Sequence, residues 1–371
     1  MNARKWRSVA LLVAINLGLA AGLTEIALRV QQALGPIYDL AVGANTIGIG
    51  LSDTLNHVHA PHLDWDANGI QAMDRPNAPG CAPKILFMGD SFMDGLGRNE
   101  TIPVYVRDDA ARAWHKRICV FNVGTSSYAP SIYVPQAKQA IPIVKPDYVA
   151  IDIDETDLFD DYYRYRTLSV RDAQGSIVAV RPTPIFVAFH EGLVAATSKP
   201  LYLQRLIAKL YFTRVTYPRL LAAYNARRPA DIFWASRMPE AEARAKYPAA
   251  IAYFHRTLED LTVTAIGLMG SPDRLIYLHH PHLEHLASTG IPFNTIVSDT
   301  IAEVARAHGV RYFDATAELK REFGATPEAY YAPNDMHFNK TGLHAYADTV
   351  ARYLGTALGW VPAAGTSAPA R

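Results

Sequence analysis

The sequence predicts an α/β fold with a mainly parallel β-sheet that helices cover on both faces. Five short apolar runs have the length and composition of strands that are buried on both sides. Helical patterns separate most of these runs, and such alternation is typical of a parallel sheet. A third observation, an uncharged stretch close to the N-terminus, predicts that an export or membrane segment precedes the folded domain.

The predicted strands follow one another through the central and C-terminal parts of the chain. They are Lys84–Met88, Ile118–Phe121, Tyr148–Ile151, Leu275–Leu278 and Val310–Phe313. The clearest helical patterns are Ile102–His115, Ala249–Gly267, Phe293–His308 and Leu343–Leu354. The third and fourth strands are too far apart for one crossover helix, so we expect an insertion between them.

Length and composition restrict the class of protein. With 371 residues, 50% of them hydrophobic, the chain can bury a complete core and fits one large domain with insertions. The 36 Lys and Arg residues nearly balance the 35 Asp and Glu residues, so we expect no nucleic-acid partner. Cys81 and Cys119 are too few for a disulfide scaffold or a thiol-based zinc site. One disulfide is compatible with the sequence, but we expect two unpaired thiols.

The N-terminal segment has the charge pattern of an export signal. Basic residues near the N-terminus precede an uncharged run from Ser8 to Thr24. This run is at the short end for crossing about 30 Å of hydrocarbon, which a tilted helix accommodates. We expect a single-pass anchor in the cytoplasmic (inner) membrane, with the rest of the chain on the periplasmic side. A cleaved signal peptide is the alternative, because Gly18–Ala20 offers a weak small-residue cleavage site.

These patterns divide the chain into successive segments. We expect the anchor in residues 1–30, a stalk in 31–83, the main domain in 84–358 and a disordered tail in 359–371. The insertion, about 162–248, begins with alternating residues around a turn, which predicts an exposed hairpin. A basic, aromatic helical region follows the hairpin. Insertions of this kind often shape the substrate entrance.

A candidate nucleophile lies at the end of the first predicted strand. In Gly89-Asp-Ser91, the glycine allows a tight turn and the serine would be exposed at the sheet edge. Alone, this motif is a weak signal, because a strand-to-helix turn favours the same residue types for capping. The stretch lacks the Gly-Lys-Ser/Thr of a phosphate-binding loop, so we do not expect a nucleotide site.

A candidate base lies near the C-terminus. Pro333 favours an extended approach to Asp335 and His337, and residues i and i+2 of an extended segment face the same side. The carboxylate would fix the tautomer of the imidazole, which would take the proton of a serine hydroxyl. An isolated Asp-x-His is more often a surface loop before a helix, so this motif also needs support from others.

Four motifs in order resemble the blocks of the SGNH (GDSL-type) hydrolase family. They are Gly89-Asp-Ser91, Asn122–Tyr128, Asp154–Asp157 and Asp335-x-His337. The resemblance spans about residues 84–354 and is weak through the insertion, which is similar to those of exported bacterial members. It implies a flavodoxin-like three-layer α/β/α sandwich with a mainly parallel five-stranded sheet.

The resemblance also implies roles for individual residues. Ser91 is expected to be the nucleophile, with His337 as the base and Asp335 as its partner. An oxyanion hole would use the backbone N–H groups of Ser91 and Gly124 and an asparagine amide in the third block. At that position this sequence has Thr156, whose hydroxyl is shorter. Since one oxyanion donor is worth about 10²- to 10³-fold in rate, this departure puts the catalytic power in doubt.

The segment from Leu278 to His285 contains four histidines after the fourth strand. Metal ligands, imidazoles that contact substrate and an exposed loop are alternative interpretations. Because Pro281 breaks helical ligand spacing and serine chemistry needs no metal, we expect no metal and no cofactor. His280, His282 and Asp94, which lies three residues after the candidate nucleophile, are candidate substrate contacts.

Together these motifs predict a serine esterase or O-acyltransferase that works through an acyl-serine intermediate. We expect its substrate to be an acyl ester, such as an acetyl ester of a cell-envelope carbohydrate. The substitution at Thr156 motivates an alternative, a non-catalytic module that binds glycans or envelope proteins. Retention of all three residues of the candidate triad favours the enzyme.

Overall fold

The computed structural model describes residues 3–34, 49–59, 65–66, 68–72, 81–97, 99–287 and 293–361. The chain divides into two compact units. One contains the main β-sheet and comprises Ser52–Thr183 and Pro229–Arg371, and the other comprises Met1–Leu51 and Pro184–Arg228. Parts of the predicted stalk and almost all of the predicted tail lie outside the described residues.

The strands of the described residues are short. They are β1 (Ile49–Ser52), β2 (Asn56–His59), β3 (Gln71–Ala72), β4 (Lys84–Met88), β5 (Cys119–Asn122), β6 (Tyr148–Asp152), β7 (Ser169–Arg171), β8 (Ile177–Val180), β9 (Leu275–His279) and β10 (Arg311–Asp314).

The helices range from single turns to 32 residues. They are α1 (Ala3–Leu34), α2 (Ser91–Asp94), α3 (Ile102–Trp114), α4 (Pro130–Val144), α5 (Asp157–Phe159), α6 (Pro184–Thr197), α7 (Tyr202–Tyr211), α8 (Tyr217–Asn225), α9 (Glu240–Lys246), α10 (Pro248–Met269), α11 (Leu283–Leu286), α12 (Ile296–His308), α13 (Thr316–Phe323) and α14 (Lys340–Ala357). π-helical turns cover Asp160–Tyr165 and Phe212–Thr216, and 3-10 turns cover Pro272–Arg274 and Pro327–Tyr330.

The main sheet has the strand order β10-β9-β6-β4-β5-β3. The strands β10, β9, β6, β4 and β5 are parallel, and the two-residue strand β3 runs antiparallel to β5 at the edge. The five parallel strands are those that the sequence predicts, and their order is that of a flavodoxin-like sheet. The predicted fold class is therefore confirmed.

Side chains of the central strand β4 alternate between two helical layers. Leu86 and Met88 pack in the cluster that includes α4, α10 and α12, whereas Ile85 and Phe87 pack in the cluster that includes α3, α13 and α14. All four side chains are fully buried, and burial of each stabilises the fold by about 1.5–3 kcal/mol. Because alternate residues of a strand face opposite sides, helices cover both faces and form a three-layer α/β/α sandwich.

Helix α4 has no counterpart in the sequence patterns. It contains Pro135 and Pro142, and proline normally kinks or ends a helix because it lacks the backbone N–H. Pro130 occupies the first turn, where proline is well tolerated. Most residues of α4 are buried against the sheet and α10, so packing outweighs the unfavourable local propensity.

The predicted hairpin forms, with an exposed turn and one buried face. Strands β7 and β8 pair antiparallel, and Ile177 and Val180 are fully buried. Asp260 on α10 accepts a hydrogen bond of 2.7 Å from the backbone N–H of Ile177. The hairpin therefore packs in the sheet unit, and only Pro184–Arg228 of the predicted insertion belongs to the other unit.

Much of the segment predicted as a stalk is part of the sheet unit. The strand β3 pairs with β5, and Asn56 and His57 are fully buried. Asn56 Nδ2 donates to Thr183 Oγ1 (3.0 Å), which fixes this segment to the residue after the hairpin. Polar side chains that form buried hydrogen bonds resemble loop residues in a sequence, and this explains why a linker was expected.

The second unit consists mainly of helices. Within α1, the apolar span Val9–Val30 has 22 residues, a mean hydropathy of 2.0 and no buried residue. It is long and apolar enough to cross a membrane, as a single-pass anchor or as a signal sequence. Near its end, Glu25 accepts hydrogen bonds of 2.8 Å from Arg29 Nε and from the backbone N–H of Leu203. The predicted basic, aromatic helical region forms α7 and α8.

Cys81 and Cys119 form a disulfide, with their Cα atoms 5.4 Å apart. Cys81 precedes β4 and Cys119 begins β5, and the parallel pairing of these strands sets Lys84 opposite Cys119. Strand pairing therefore brings the two cysteines within the normal Cα separation for a disulfide. The expectation of two unpaired thiols is wrong, because the sequence does not indicate which strands are neighbours.

Replacing both cysteines by alanine is expected to lower the free energy of unfolding by about 2–4 kcal/mol, since the disulfide closes a loop of 38 residues in the unfolded chain. Denaturant unfolding of wild type and the double variant measures the difference. A reductant should destabilise the wild type and leave the double variant unchanged. Two alkylatable thiols in unreduced, denatured wild-type protein would contradict the pairing.

Candidate active site

Ser91 is the first residue of α2, directly after β4. Gly89 permits this turn, because a Cβ atom there would lie 2.5 Å from Met93 Cγ. Asp90 caps the helix through its Oδ1, which accepts a hydrogen bond from the backbone N–H of Phe92 (2.9 Å). As the first helical residue, Ser91 keeps its own backbone N–H outside the helical hydrogen bonds. Its side chain is partly exposed at the carboxyl edge of the sheet.

Asp335 and His337 lie in the turn that precedes α14. The backbone N–H of Ala332 donates to the His337 carbonyl (2.8 Å), and the N–H of Asp335 donates to the Ala332 carbonyl (3.1 Å). Asp335 Oδ1 lies 3.2 Å from the backbone nitrogen and 2.6 Å from Nδ1 of His337. The predicted contact between the two side chains is present, but a closed turn forms it, rather than the extended segment that we expected.

This turn directs the other ring nitrogen of His337 at Ser91. Nε2 of His337 lies 2.7 Å from Ser91 Oγ, which is also 3.2 Å from Asp90 Oδ2. The ring of Phe92 packs beside the imidazole, with centroids 5.0 Å apart. The side chains of His337 and Asp335 are 31% and 50% exposed, so solutes can reach this face.

The two carboxyl groups near Ser91 have opposite pKa shifts. Partial burial alone would raise the pKa of Asp335, but hydrogen bonds from the ring and backbone N–H of His337 lower it. Burial and the neighbouring Asp154 carboxylate raise the pKa of Asp90 well above its usual range. The environment of Asp335 therefore favours its ionised form, whereas the environment of Asp90 favours its neutral form.

A cavity of about 290 Å³ lies beside the serine. Its wall combines apolar side chains with the hydroxyl of Ser126 and the three residues Ser91, Asp335 and His337. It is lined by Ser91, Phe92, Gly95, Leu96, Ser126, Ala332, Asp335, His337, Phe338 and Leu343. The hydroxyl of Ser91 and the imidazole of His337 thus share one solvent-accessible space.

No protein-family model and no curated protein matches the chain. Several solved structures are similar to it at low sequence identity. A lipase/acylhydrolase from Enterococcus faecalis has 14% identity and a TM-score of 0.42, covering 76% of this chain and 99% of its own. Axe2, an acetylxylan esterase from Geobacillus stearothermophilus, has 15% identity and a TM-score of 0.42, covering 76% and 96%.

In strand order and motif order, the chain resembles the SGNH hydrolases.

The family resemblance assigns an oxyanion role to Gly124, which lies after β5 and against the end of α2. A Cβ atom at this position would lie 2.5 Å from Met93 Cβ and 2.8 Å from the backbone nitrogen of Asp94, so only glycine fits. The backbone N–H of Gly124 donates to Asn122 Oδ1 (2.8 Å). This N–H already has an acceptor, and it can stabilise an oxyanion only if Asn122 shares or releases it.

Thr156 follows β6 at the same sheet edge as Ser91 and is 7% exposed. Its backbone N–H donates to Asp154 Oδ1. Among the described residues, Thr156 does not line the cavity beside Ser91. A role of the Thr156 hydroxyl as an oxyanion donor therefore stays a prediction.

Asp94 ends α2, and its side chain is 23% exposed. Its Oδ2 accepts a hydrogen bond from Ser126 Oγ (3.0 Å), and its Oδ1 lies 3.4 Å from Nε2 of His59. Burial raises the pKa of Asp94, although His59 and Ser126 oppose this shift. Asp94 fixes Ser126 in the cavity wall, and a direct contact of Asp94 with substrate stays a prediction.

The histidine-rich segment after β9 is buried rather than an exposed loop. The side chains of His280 and His282 are 0% exposed. Burial alone would lower the pKa of His280, but the carboxylates of Asp152 and Asp154 raise it to about 10. Neither His280 nor His282 is among the described residues that line the cavity beside Ser91, and a contact of either with substrate stays a prediction.

The sequence analysis missed two residues of the site, Asn122 and Phe92. Asn122 is a buried amide at the end of an apolar strand, and this position is itself a signal, because a buried amide requires specific partners. Phe92 lies between two imidazoles, with centroid distances of 5.0 Å to His337 and 3.9 Å to His280. Only the tertiary structure reveals this position.

Gly124→Ala is expected to destabilise the fold by about 1–3 kcal/mol, because the new methyl group would collide with the backbone of α2. Denaturant unfolding gives the value. Gly267→Ala is the matched control, since no atom lies within 4 Å of the added Cβ and α10 continues through this position. If Gly124→Ala, like Gly267→Ala, were at least as stable as wild type, the close packing at Gly124 would be disproved.

Proposed function

We propose that the chain is a serine-dependent ester hydrolase or O-acyltransferase. The observation that carries this proposal is the alignment of Ser91 Oγ, His337 and Asp335, with contacts of 2.7 Å and 2.6 Å on the two ring nitrogens. A hydroxyl, an imidazole and a carboxylate in this order activate a serine for attack on an acyl group. The cavity beside them provides a place for the ester.

The proposed reaction has two half-reactions. Ser91 Oγ attacks the ester carbonyl while His337 Nε2 takes the serine proton, and the resulting imidazolium returns this proton to the leaving alcohol. The ester C–O bond breaks and acyl-Ser91 remains. Water or an acceptor hydroxyl then attacks the acyl-serine, losing its proton to His337, and Ser91 is regenerated with its proton. Asp335 stabilises the imidazolium in both halves.

The negative oxygen of the tetrahedral intermediate needs hydrogen-bond donors. We propose the backbone N–H of Ser91 and, after displacement of its bond to Asn122, the N–H of Gly124 as the main donors. Thr156 contributes little in this proposal, because its hydroxyl is shorter than the asparagine amide of the family pattern. An oxyanion hole that must first give up an internal hydrogen bond is less preorganised than one with free donors.

The substrate proposed for this site is a short acyl ester, such as an acetyl ester of a cell-envelope carbohydrate. The cavity of about 290 Å³ is at the small end of ligand cavities, which favours a short acyl group. Hydrolysis and transfer use the same residues. They differ in whether an acceptor hydroxyl excludes water from acyl-Ser91.

We propose that α1 anchors the chain in the cytoplasmic (inner) membrane, with the sheet unit on the periplasmic side. The apolar span Val9–Val30 and the charge pattern before it support this location. The disulfide between Cys81 and Cys119 supports an oxidising compartment. Cleavage of the N-terminal segment as a signal peptide is the alternative, and it leads to the same compartment.

A second candidate function is a non-catalytic module that uses the cavity to bind glycans or envelope proteins. The observation in its favour is the engaged N–H of Gly124, and among the described residues neither Gly124 nor Thr156 lines the cavity. Such a module would not need an activated serine. Reactivity of Ser91 therefore separates the two functions.

A fluorophosphonate probe is expected to label Ser91 in the wild type, because His337 increases the nucleophilicity of its hydroxyl. His337→Ala should reduce the labelling rate at least 100-fold, on the scale of general-base catalysis. Labelling is followed by peptide mass spectrometry, which identifies the modified residue.

Ser126→Ala is the matched control, since Ser126 lines the same cavity but donates to Asp94. This variant should be labelled at Ser91. Thermal unfolding of His337→Ala checks that the fold is intact. Equal labelling of wild type and folded His337→Ala would exclude activation by His337, and no labelling of wild type would favour the binding module.

Thr156→Val is expected to change kcat by less than about 2-fold on an activated acetate ester, because the lost hydroxyl is shorter than the asparagine amide of the family pattern. Thr156→Asn should increase kcat by about 10-fold or more if the longer amide reaches the oxyanion. Steady-state kinetics with both folded variants give kcat and KM separately. A 10-fold lower kcat at unchanged KM in Thr156→Val would instead identify the threonine hydroxyl as an oxyanion donor.

A further inference from the structure

A buried group of potential metal ligands lies behind the candidate active site. The histidine–aspartate cluster consists of Asp154, His280 and His282, each offering one ligand atom, and these atoms all lie within 4.8 Å of one another. The three side chains are 1%, 0% and 0% exposed. The serine chemistry proposed for Ser91 uses none of them.

The fold builds this cluster from two neighbouring strands. β6 and β9 pair in parallel with Asp152 opposite Leu278, so the loops that follow them emerge side by side. One loop contributes Asp154, and the other contributes the two histidines. His282 Nε2 lies 2.8 Å and His280 Nε2 lies 3.6 Å from the same oxygen, Asp154 Oδ2.

Pro281 is compatible with this arrangement. From the sequence, Pro281 was a reason to expect no metal, because proline excludes the helical spacing of metal ligands. In the structure the two histidines flank the proline outside any helix. The third ligand, Asp154, comes from the loop that follows β6. Helical spacing is therefore not needed.

The nitrogen atoms of His280 are the second observation that points to a ligand. Among the described residues, neither Nε2 nor Nδ1 makes a hydrogen bond of acceptable geometry, although the ring is completely buried. Nε2 is directed at the cluster. Such a nitrogen is costly to bury unless it has a partner, and a metal ion at the centre of the cluster provides one.

The other nitrogen of His280 lies close to a carboxylate. Its Nδ1 lies 3.1 Å from Asp152 Oδ2, and Asp152 Oδ1 accepts a hydrogen bond of 2.7 Å from the hydroxyl of Tyr346. A carboxylate at the second ring nitrogen is the usual support of a histidine that binds metal, because it fixes the tautomer and increases the basicity of the ligand.

The charges of the surroundings also favour a cation. Asp152 is buried beside Asp154, and both carboxylates lie close to His280. Buried carboxylates repel one another in a medium of low dielectric constant. A divalent cation on Asp154 offsets this repulsion more effectively than neutral imidazoles do.

We propose that Asp154, His280 and His282 bind one zinc ion. Two imidazole nitrogens and one carboxylate oxygen are typical zinc ligands, and a water molecule can complete the tetrahedron. The ion would connect the loops after β6 and β9. His280 packs on Phe92, which packs on His337, so the ion would also support the base of the candidate active site. Its role is structural, and it takes no part in the ester chemistry.

The test measures metal in the full-length chain purified without chelators. Wild type is expected to contain about one zinc per chain by mass spectrometry of the metal. Cobalt that replaces the zinc should give the visible absorption bands of a tetrahedral site. His280→Gln, His282→Gln and Asp154→Asn should each lower the zinc content at least 10-fold, whereas His255→Gln, in the half-buried part of α10, should retain it.

A second measurement needs no variant. Because a metal that binds only the folded chain stabilises it, wild type should unfold at a higher temperature with zinc than after treatment with a chelator. Absence of bound zinc, together with the same unfolding temperature in zinc and in chelator, would overturn the proposal. The cluster would then be an ion pair between a protonated His280 and its carboxylates.

The outcome is independent of the reaction proposed for Ser91. Fluorophosphonate labelling reports on His337 and the serine, whereas metal content reports on the histidine–aspartate cluster. Zinc without labelling would disprove only the serine chemistry, and labelling without zinc would disprove only the metal site.

Discussion

The parallel pairing of β4 with β5 on one side and β6 on the other is the constraint on which the rest of the structure depends. Parallel strands end at the same edge, so the loops that follow them meet there. Ser91, Gly124 and Thr156 each follow one of these three strands. The next strand, β9, adds the histidines. One edge of the sheet thus collects Ser91, Gly124, Thr156 and these histidines, and the turn before α14 supplies Asp335 and His337.

That turn adds the imidazole from outside the sheet. His337 is held by hydrogen bonds within its own loop, with Asp335 on one ring nitrogen and Ser91 on the other. It is 31% exposed, whereas His280 is fully buried on the far side of Phe92. Two imidazoles on either side of one aromatic ring therefore have different environments. The exposed one can exchange protons with substrate and solvent, and the buried one can only serve the interior.

Buried charge is the main energetic difficulty of this edge. Asp90, Asp152, Asp154 and Asp157 are all buried, and an unpaired buried carboxylate costs several kcal/mol. Two features of the structure reduce this cost. Raised pKa values favour the neutral forms of Asp90 and Asp157, and histidines from the loop after β9 contact the other two. This arrangement explains why a polar cluster can lie directly behind the candidate nucleophile.

The sequence by itself determined the five parallel strands and the apolar span of α1, because these depend on local patterns of apolar residues. The contact between Asp335 and His337 was also predictable, since the two residues are neighbours in the chain.

The sequence did not determine the Cys81–Cys119 disulfide, the packing of the predicted stalk or the position of Phe92. It also left open whether the loop with His280 and His282 is exposed, and both side chains are buried. Only the tertiary structure decided these features, because each depends on which distant segments are neighbours. Apolar periodicity indicates that a residue is buried, but it does not indicate against what.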